Sequence, residues 1–199
     1  MARTAGRPRQ FDHDQSMDGA LQLFWRNGLT GTSVDQLAAA MRINKPSLYN
    51  AFGGKEAVYR LALQTFVDRM EQEVGTALDH TDINVALTAF FERALQVYFE
   101  ATPALGCFAM CTAALDAGNN DDIRDDLRQV IRQLDLRLKK RFALAQQQGQ
   151  VAQSQNALHL ARLSQSVLHG LALRARAGER RSTLRQFARQ SVRLICAAV

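Results

Sequence analysis

Lys45, Ser47, Tyr49 and Asn50 fall within six residues of one another. A cation, a hydroxyl, a phenol and a carboxamide so placed can read nucleic acid, the charge meeting phosphate and the amide and hydroxyl meeting base edges. Cys107 and Cys111, at i and i+4 of a short helix, could carry thiol chemistry. As a soft-metal site they supply only two ligands, and none of the four histidines has a spaced cysteine or carboxylate partner, so neither a metal nor a cofactor is expected. Catalysis is the rival class. Gly53-Gly54-Lys55 resembles the tail of a phosphate loop, but Tyr49 stands where the first glycine belongs and Glu56 where a hydroxyl must hold the metal ion. The chain has no G-x-S-x-G, H-E-x-x-H or G-x-G-x-x-G, so an enzyme is not expected.

The elements that must position these residues are helical. Met17, Ala20, Leu21 and Phe24 recur at helical spacing and stop at Asn27-Gly28. Val34, Leu37, Ala38 and Met41 repeat the pattern, and Ser33 with Gln36 three residues on predicts a capping box. Asn44 predicts the cap of a third short helix, with Pro46 in its first turn and its end near Phe52. Longer amphipathic stretches follow, giving an all-α chain of about nine helices and no alternating strand. Two short helices joined by a tight turn, preceded by a supporting helix, are the parts of a helix-turn-helix DNA reader. Its recognition helix would expose Lys45, Pro46, Ser47, Tyr49 and Asn50 and bury Leu48 and Phe52, although Tyr49 as a core tyrosine stays open.

The stretch Gly31-Thr32-Ser33-Val34-Asp35-Gln36-Leu37-Ala38, then Asn44 to Phe52, then Lys55-Glu56-Ala57-Val58, resembles the DNA-binding domain of the TetR family of bacterial transcriptional regulators, most specifically in the Leu-Tyr-x-x-Phe-x-x-Lys run from Leu48 to Lys55. The resemblance implies a homodimer, a divergent C-terminal domain with a ligand cavity, release of DNA on ligand binding, and usually repression. It also implies phosphate contacts from Thr32 or Ser33, from Tyr49 and from Lys55. Arg42 departs from the pattern, since the family often has glycine in the interhelical turn, where a side chain suffers if φ must be positive.

Three divisions follow: a basic arm over 1–10, the helix-turn-helix domain over 11–55, and an effector-binding and dimerisation domain over 56–199. In the arm, Arg7 and Arg9 flank Pro8 and could enter an A·T-rich minor groove; a disordered basic tail is the alternative. The last two helices carry apolar stripes, Leu160, Leu163, Val167 and Leu171, then Leu184, Phe187, Val192 and Ile195, with no later element to cover them. A four-helix interface between two copies would bury them; packing within one chain is the alternative. Phe66, Met70, Phe91, Tyr98, Cys107, Met110, Cys111, Phe142 and His169 are candidates for a cavity suited to a small, mostly apolar effector. Cys107 follows Gly106 at a helix start, where backbone N–H groups can lower a thiol pKa, and some regulators similar around Gly-Cys use that thiol to sense electrophiles; the alternative is a small buried hydrophobe.

Composition agrees with this organisation. The 199 residues are 47% hydrophobic with a net charge of +6, distributed as seven Lys and Arg against four Asp and Glu over 1–55, three against nine over 56–119, and fifteen against six beyond. Basic ends invite polyanions by counterion release, although the arginines of the C-terminal helices read first as a solvated face or as partners for nearby carboxylates. No window approaches a membrane span and the first residues do not form a secretory leader, so the cytoplasm is expected, with three reduced thiols. The expected function is a ligand-responsive repressor released from a pseudo-palindromic operator by an apolar or thiol-reactive effector, with an architectural DNA binder that takes no ligand as the alternative.

Overall fold

The computed structural model describes residues 13–197, and Arg7 and Arg9 lie outside it. Among the described residues there are nine α-helices and no strands: α1 (His13–Asn27), α2 (Val34–Ala40), α3 (Lys45–Phe52), α4 (Lys55–Gly75), α5 (Ile83–Tyr98), α6 (Ala114–Asp116), α7 (Asp121–Gln147), α8 (Ala157–Arg176) and α9 (Arg181–Cys196). A 3₁₀ turn, Thr76–Asp79, precedes α5, and a π-turn, Ala109–Ala113, runs into α6.

Short polar side chains decide where the helices start. Ser33 and Gln36 form the capping box of α2, and Asn44 Oδ1 accepts the Ser47 N–H at 2.8 Å at the head of α3. Asp82, Asn120 and Asn156 cap α5, α7 and α8 in the same way. The Asn44 and Gly53 termini hold α3 to two turns, and Gly53 is left-handed at φ 84° as a C-terminal glycine should be.

The N-terminal helices meet at close quarters. A Cβ on Gly19 would stand 2.2 Å from the Ala40 carbonyl oxygen, so only glycine lets α1 cross the end of α2 at this distance. Phe24, Leu37, Met41, Leu48, Val58 and Tyr59 fill the space between α1, α2, α3 and the start of α4. The rest of α4 continues into the second layer with α5, α7, α8 and α9, so the two halves share one core. Arg141 reaches under the 3₁₀ turn, donating to the carbonyls of Leu78, His80 and Thr81, which fixes where α5 begins.

Candidate nucleic-acid interface and effector cavity

The outer face of α3 exposes the residues that the sequence proposes for DNA contact. Lys45, Pro46, Ser47, Tyr49 and Asn50 are all exposed, while Leu48 is fully buried beneath them. Tyr49 is 51% exposed, so it is not a core tyrosine. Lys45 Nζ lies 2.7 Å from Asp35 Oδ1 across the α2–α3 turn, an exposed pair that water or phosphate can replace at little cost. Arg42 adopts φ 56° in that turn, the only non-glycine residue with positive φ among those described. The turn therefore keeps the left-handed geometry that glycine suits, and carries a side chain there under strain.

Two expected phosphate contacts are turned inward. The Thr32 hydroxyl donates to the Gly28 carbonyl at 2.7 Å and the residue is 1% exposed. Lys55 Nζ donates to the carbonyls of Leu29 and Thr32, each at 2.8 Å. Both side chains thus tie down the α1–α2 loop, whose carbonyls have no helical partner, instead of pointing at the outer surface. Ser33 stays exposed at the head of α2.

A cavity of about 90 Å³ lies between α4, α5, α7, α8 and the π-turn. Phe66, Met70, Tyr98, Cys107, Met110 and His169 line it, as the sequence suggested. Phe91, Cys111 and Phe142 do not: all three are buried in packing elsewhere, which spacing alone cannot distinguish from lining a void. Sequence reasoning also missed Gln165, which lines the cavity from α8, and the Glu71–Arg137 pair at its lip, 3.8 Å apart. Gln165, a polar residue between the apolar positions of α8, was an available signal; Glu71 and Arg137 sit among many charges on α4 and α7 and gave none.

The Cys107 thiol is buried. Backbone N–H groups of Ala109 and Met110 do reach it, but burial outweighs them and pushes its pKa up to about 12. Cys111 is likewise raised by burial, and Gly106, at φ 68°, brings the loop so close to α8 that a Cβ would meet the Ala172 carbonyl oxygen at 2.4 Å. Burial also raises Tyr98 and lowers His169, leaving the imidazole neutral at pH 7.

The segment 107–116 joins the cavity to the end of α1, the α1–α2 loop and the start of α4. Cys107, Ala109 and Met110 line the cavity, while Thr112 Oγ1 donates to the Trp25 carbonyl at 3.1 Å. Asp116 Oδ2 accepts from the Leu29 N–H at 3.0 Å and from the Tyr59 hydroxyl at 2.7 Å. Aromatic edges continue the link, Phe24 to Tyr59, Tyr59 to Phe108, Phe108 to Phe66, and Phe66 to Trp25, with centroids 4.9 to 6.0 Å apart.

The expected interface stripes divide. Leu160, Leu171, Leu184, Val192 and Ile195 are buried inside their own chain, holding α8 and α9 to the core, and so are unavailable to a second copy. Leu163 at 50% exposure, Phe187 at 39% and the half-buried Val167 face outward, and they are joined by Leu173 at 64% and Leu194 at 77%. The sequence stripes mixed the two faces, because apolar spacing alone does not say which positions the chain's own core covers.

Known proteins show the same construction. Residues 17–62 match the family model described as bacterial regulatory proteins, tetR family, and residues 85–191 match that of the tetracyclin repressor-like C-terminal domain. The transcriptional repressor ComR of Escherichia coli K12 is 26% identical over 194 residues, spanning 96% of this chain and 92% of ComR. The repressor BdcR of the same organism is 29% identical over 110 residues, about half of each chain. Among solved structures, a cysteine-substituted CifR, a TetR family regulator complexed with 26-bp double-stranded operator DNA, superposes with a TM-score of 0.86 at 26% identity, covering 94% of this chain and 98% of that one. Reduced NemR of E. coli shares the fold at a TM-score of 0.80 and 20% identity, covering 94% and 97%.

Proposed function

The chain belongs to the TetR family of bacterial regulatory proteins, a non-enzymatic family, and on that premise we propose that it is a cytoplasmic, ligand-responsive transcriptional repressor that binds operator DNA as a homodimer. The observation that carries the reading is the exposed polar face of α3, set on a capped helix whose inner face is locked into the core. Lys45, Ser47 and Asn50 are the base-edge candidates, with Pro46 and Tyr49 against backbone and sugar. Ser33 supplies a phosphate contact, and Arg7 and Arg9 of the arm enter the adjacent minor groove. Thr32 and Lys55 shape the loop instead. No helix among the described residues is long and apolar enough to cross a membrane.

The division into arm 1–10, reader 11–55 and effector domain 56–199 is retained with one refinement: Val58, Tyr59 and Ala62 at the start of α4 pack with the reader. The dimer uses the outward face of α8 and α9, with Leu163, Val167 and Phe187 joined by Leu173 and Leu194. Two-fold symmetry then calls for a pseudo-palindromic operator. An effector in the cavity moves the 107–116 segment, and that segment moves α1 and α4 through Asp116 and Thr112, so effector and operator oppose each other's binding. The effector is mostly apolar and acts without covalent attack, because a thiol held at a pKa of about 12 is almost wholly protonated at neutral pH.

Fluorescence anisotropy tests the reading, using a promoter fragment from beside the gene, a scrambled duplex, and several salt concentrations. Specific binding that is unchanged by a thiol electrophile supports it. Equal affinity for both duplexes supports an architectural binder, and release by the electrophile that a Cys107→Ser variant resists overturns the non-covalent assignment.

A further inference from the structure

Resting on the effector reading above, the cavity can be assigned a ligand chemistry, because two of the residues that line it carry a polar atom with no oxygen or nitrogen partner in the protein. Gln165, 3% exposed, donates from Nε2 to Asp135 Oδ1 at 2.8 Å and to the Ile131 carbonyl at 3.2 Å. Both partners accept, so a flipped amide would set oxygen against oxygen. Gln165 Oε1 is therefore fixed, buried and without a donor. Tyr98, 1% exposed, lines the same cavity, and its hydroxyl has no oxygen or nitrogen partner, only the weakly bonding Cys107 thiol beside it.

The other walls restrict charge and size. Phe66, Val67, Val74, Leu78, Phe90 and Leu134 offer only carbon. Asp135 stands behind Gln165, setting a negative field against an anion, and the lip charges Glu71 and Arg137 offset one another. An isolated ion could not recover its hydration there. At about 90 Å³ the space limits a ligand to a short body of a few carbons.

We infer that the effector is a small uncharged hydrogen-bond donor with a short apolar body, of the class of an alcohol with about three to five carbons, whose hydroxyl proton goes to Gln165 Oε1. The isomers 1-butanol and 1-methoxypropane test this, since they match in size and only the alcohol donates; butyrate adds the charge. Methyl-¹³C methionine NMR reads the site directly, because Met70 and Met110 line the cavity while Met17 and Met41 are buried among the N-terminal helices and serve as controls.

The expected result is saturable movement of Met70 and Met110 with 1-butanol, a dissociation constant at least about fivefold below those of the ether and of butyrate, and loss of the alcohol-over-ether preference in Gln165→Met. The wild-type comparison decides the matter even if that variant folds poorly. Equal binding of the ether, or tighter binding of butyrate, overturns the ligand class while leaving a cavity that binds. If no probe moves either methionine, the ligand class and the effector reading fall together.

Discussion

Asp116 is the residue through which the cavity segment holds the reading head, and its removal has a calculable effect. Its Oδ2 accepts the Leu29 N–H at 3.0 Å and the Tyr59 hydroxyl at 2.7 Å. Tyr59 is fully buried, and burial followed by that hydrogen bond raises its pKa above the usual phenol value, so it stays a donor at every accessible pH. In Asp116→Ala both donors lose a charged acceptor. Bonds to charged groups contribute about 1.5 to 3 kcal/mol each, and because Asp116 is partly solvent-exposed, water recovers some of that, leaving an expected loss of about 3 kcal/mol. Tyr59→Phe removes one bond without stranding a buried donor and should cost about 1 kcal/mol. The double variant should cost no more than Asp116→Ala alone, a coupling of about 1 kcal/mol. Trp25, the single tryptophan, lies 4.9 Å from Phe66 between the two layers, so its emission during urea unfolding at fixed protomer concentration reports the junction. A loss below about 1 kcal/mol for Asp116→Ala, or strict additivity with Tyr59→Phe, would refute the proposed connection.

Other outcomes are expected. Arg42→Gly relieves a left-handed residue and should stabilise the fold by about 1 kcal/mol in the same urea assay, since the Arg42 to Gln15 bond it removes is exposed. Cys107 should react with iodoacetamide at pH 7.4 at least about tenfold more slowly than an ordinary exposed thiol, because burial pushes its pKa up to about 12; mass spectrometry of the alkylated peptide gives the rate. Because burial lowers His169 in the folded state, the unfolded chain binds more protons as pH falls past the ordinary histidine value, so stability should drop below about pH 6.5 and level off under the folded pKa. His169→Asn should flatten that limb of the urea-midpoint profile. Leu194→Arg, placed at 77% exposure on α9, should shift the mass seen by light scattering from dimer toward monomer while leaving far-UV circular dichroism unchanged.

The reading head was legible because local rules write it. Ser33, Gln36, Asn44, Pro46 and Gly53 each act within a few residues of their own position, and their caps appear where spacing put them. Lys55 and Thr32 escaped because their partners, loop carbonyls, leave no sequence signature. The cavity was half legible for a related reason. Phe66 and Phe142 are both fully or nearly buried aromatics on amphipathic helices, and only helix packing decides which of them meets a void. The dimer stripes show the general hazard: apolar spacing on α8 and α9 runs together residues of the chain's own core and of the outer face, and only packing separates them.

The central claim is that the exposed face of α3 reads base sequence. Anisotropy titration of wild type, Asn50→Ala and Ser33→Ala on the promoter duplex and on its scrambled control tests it most directly. The account predicts that Asn50→Ala weakens promoter binding about tenfold or more while leaving the scrambled duplex unchanged, and that Ser33→Ala weakens both duplexes alike. Asn50→Ala binding the promoter as tightly as wild type, with wild type preferring the promoter, would place sequence readout elsewhere on the molecule and contradict the account.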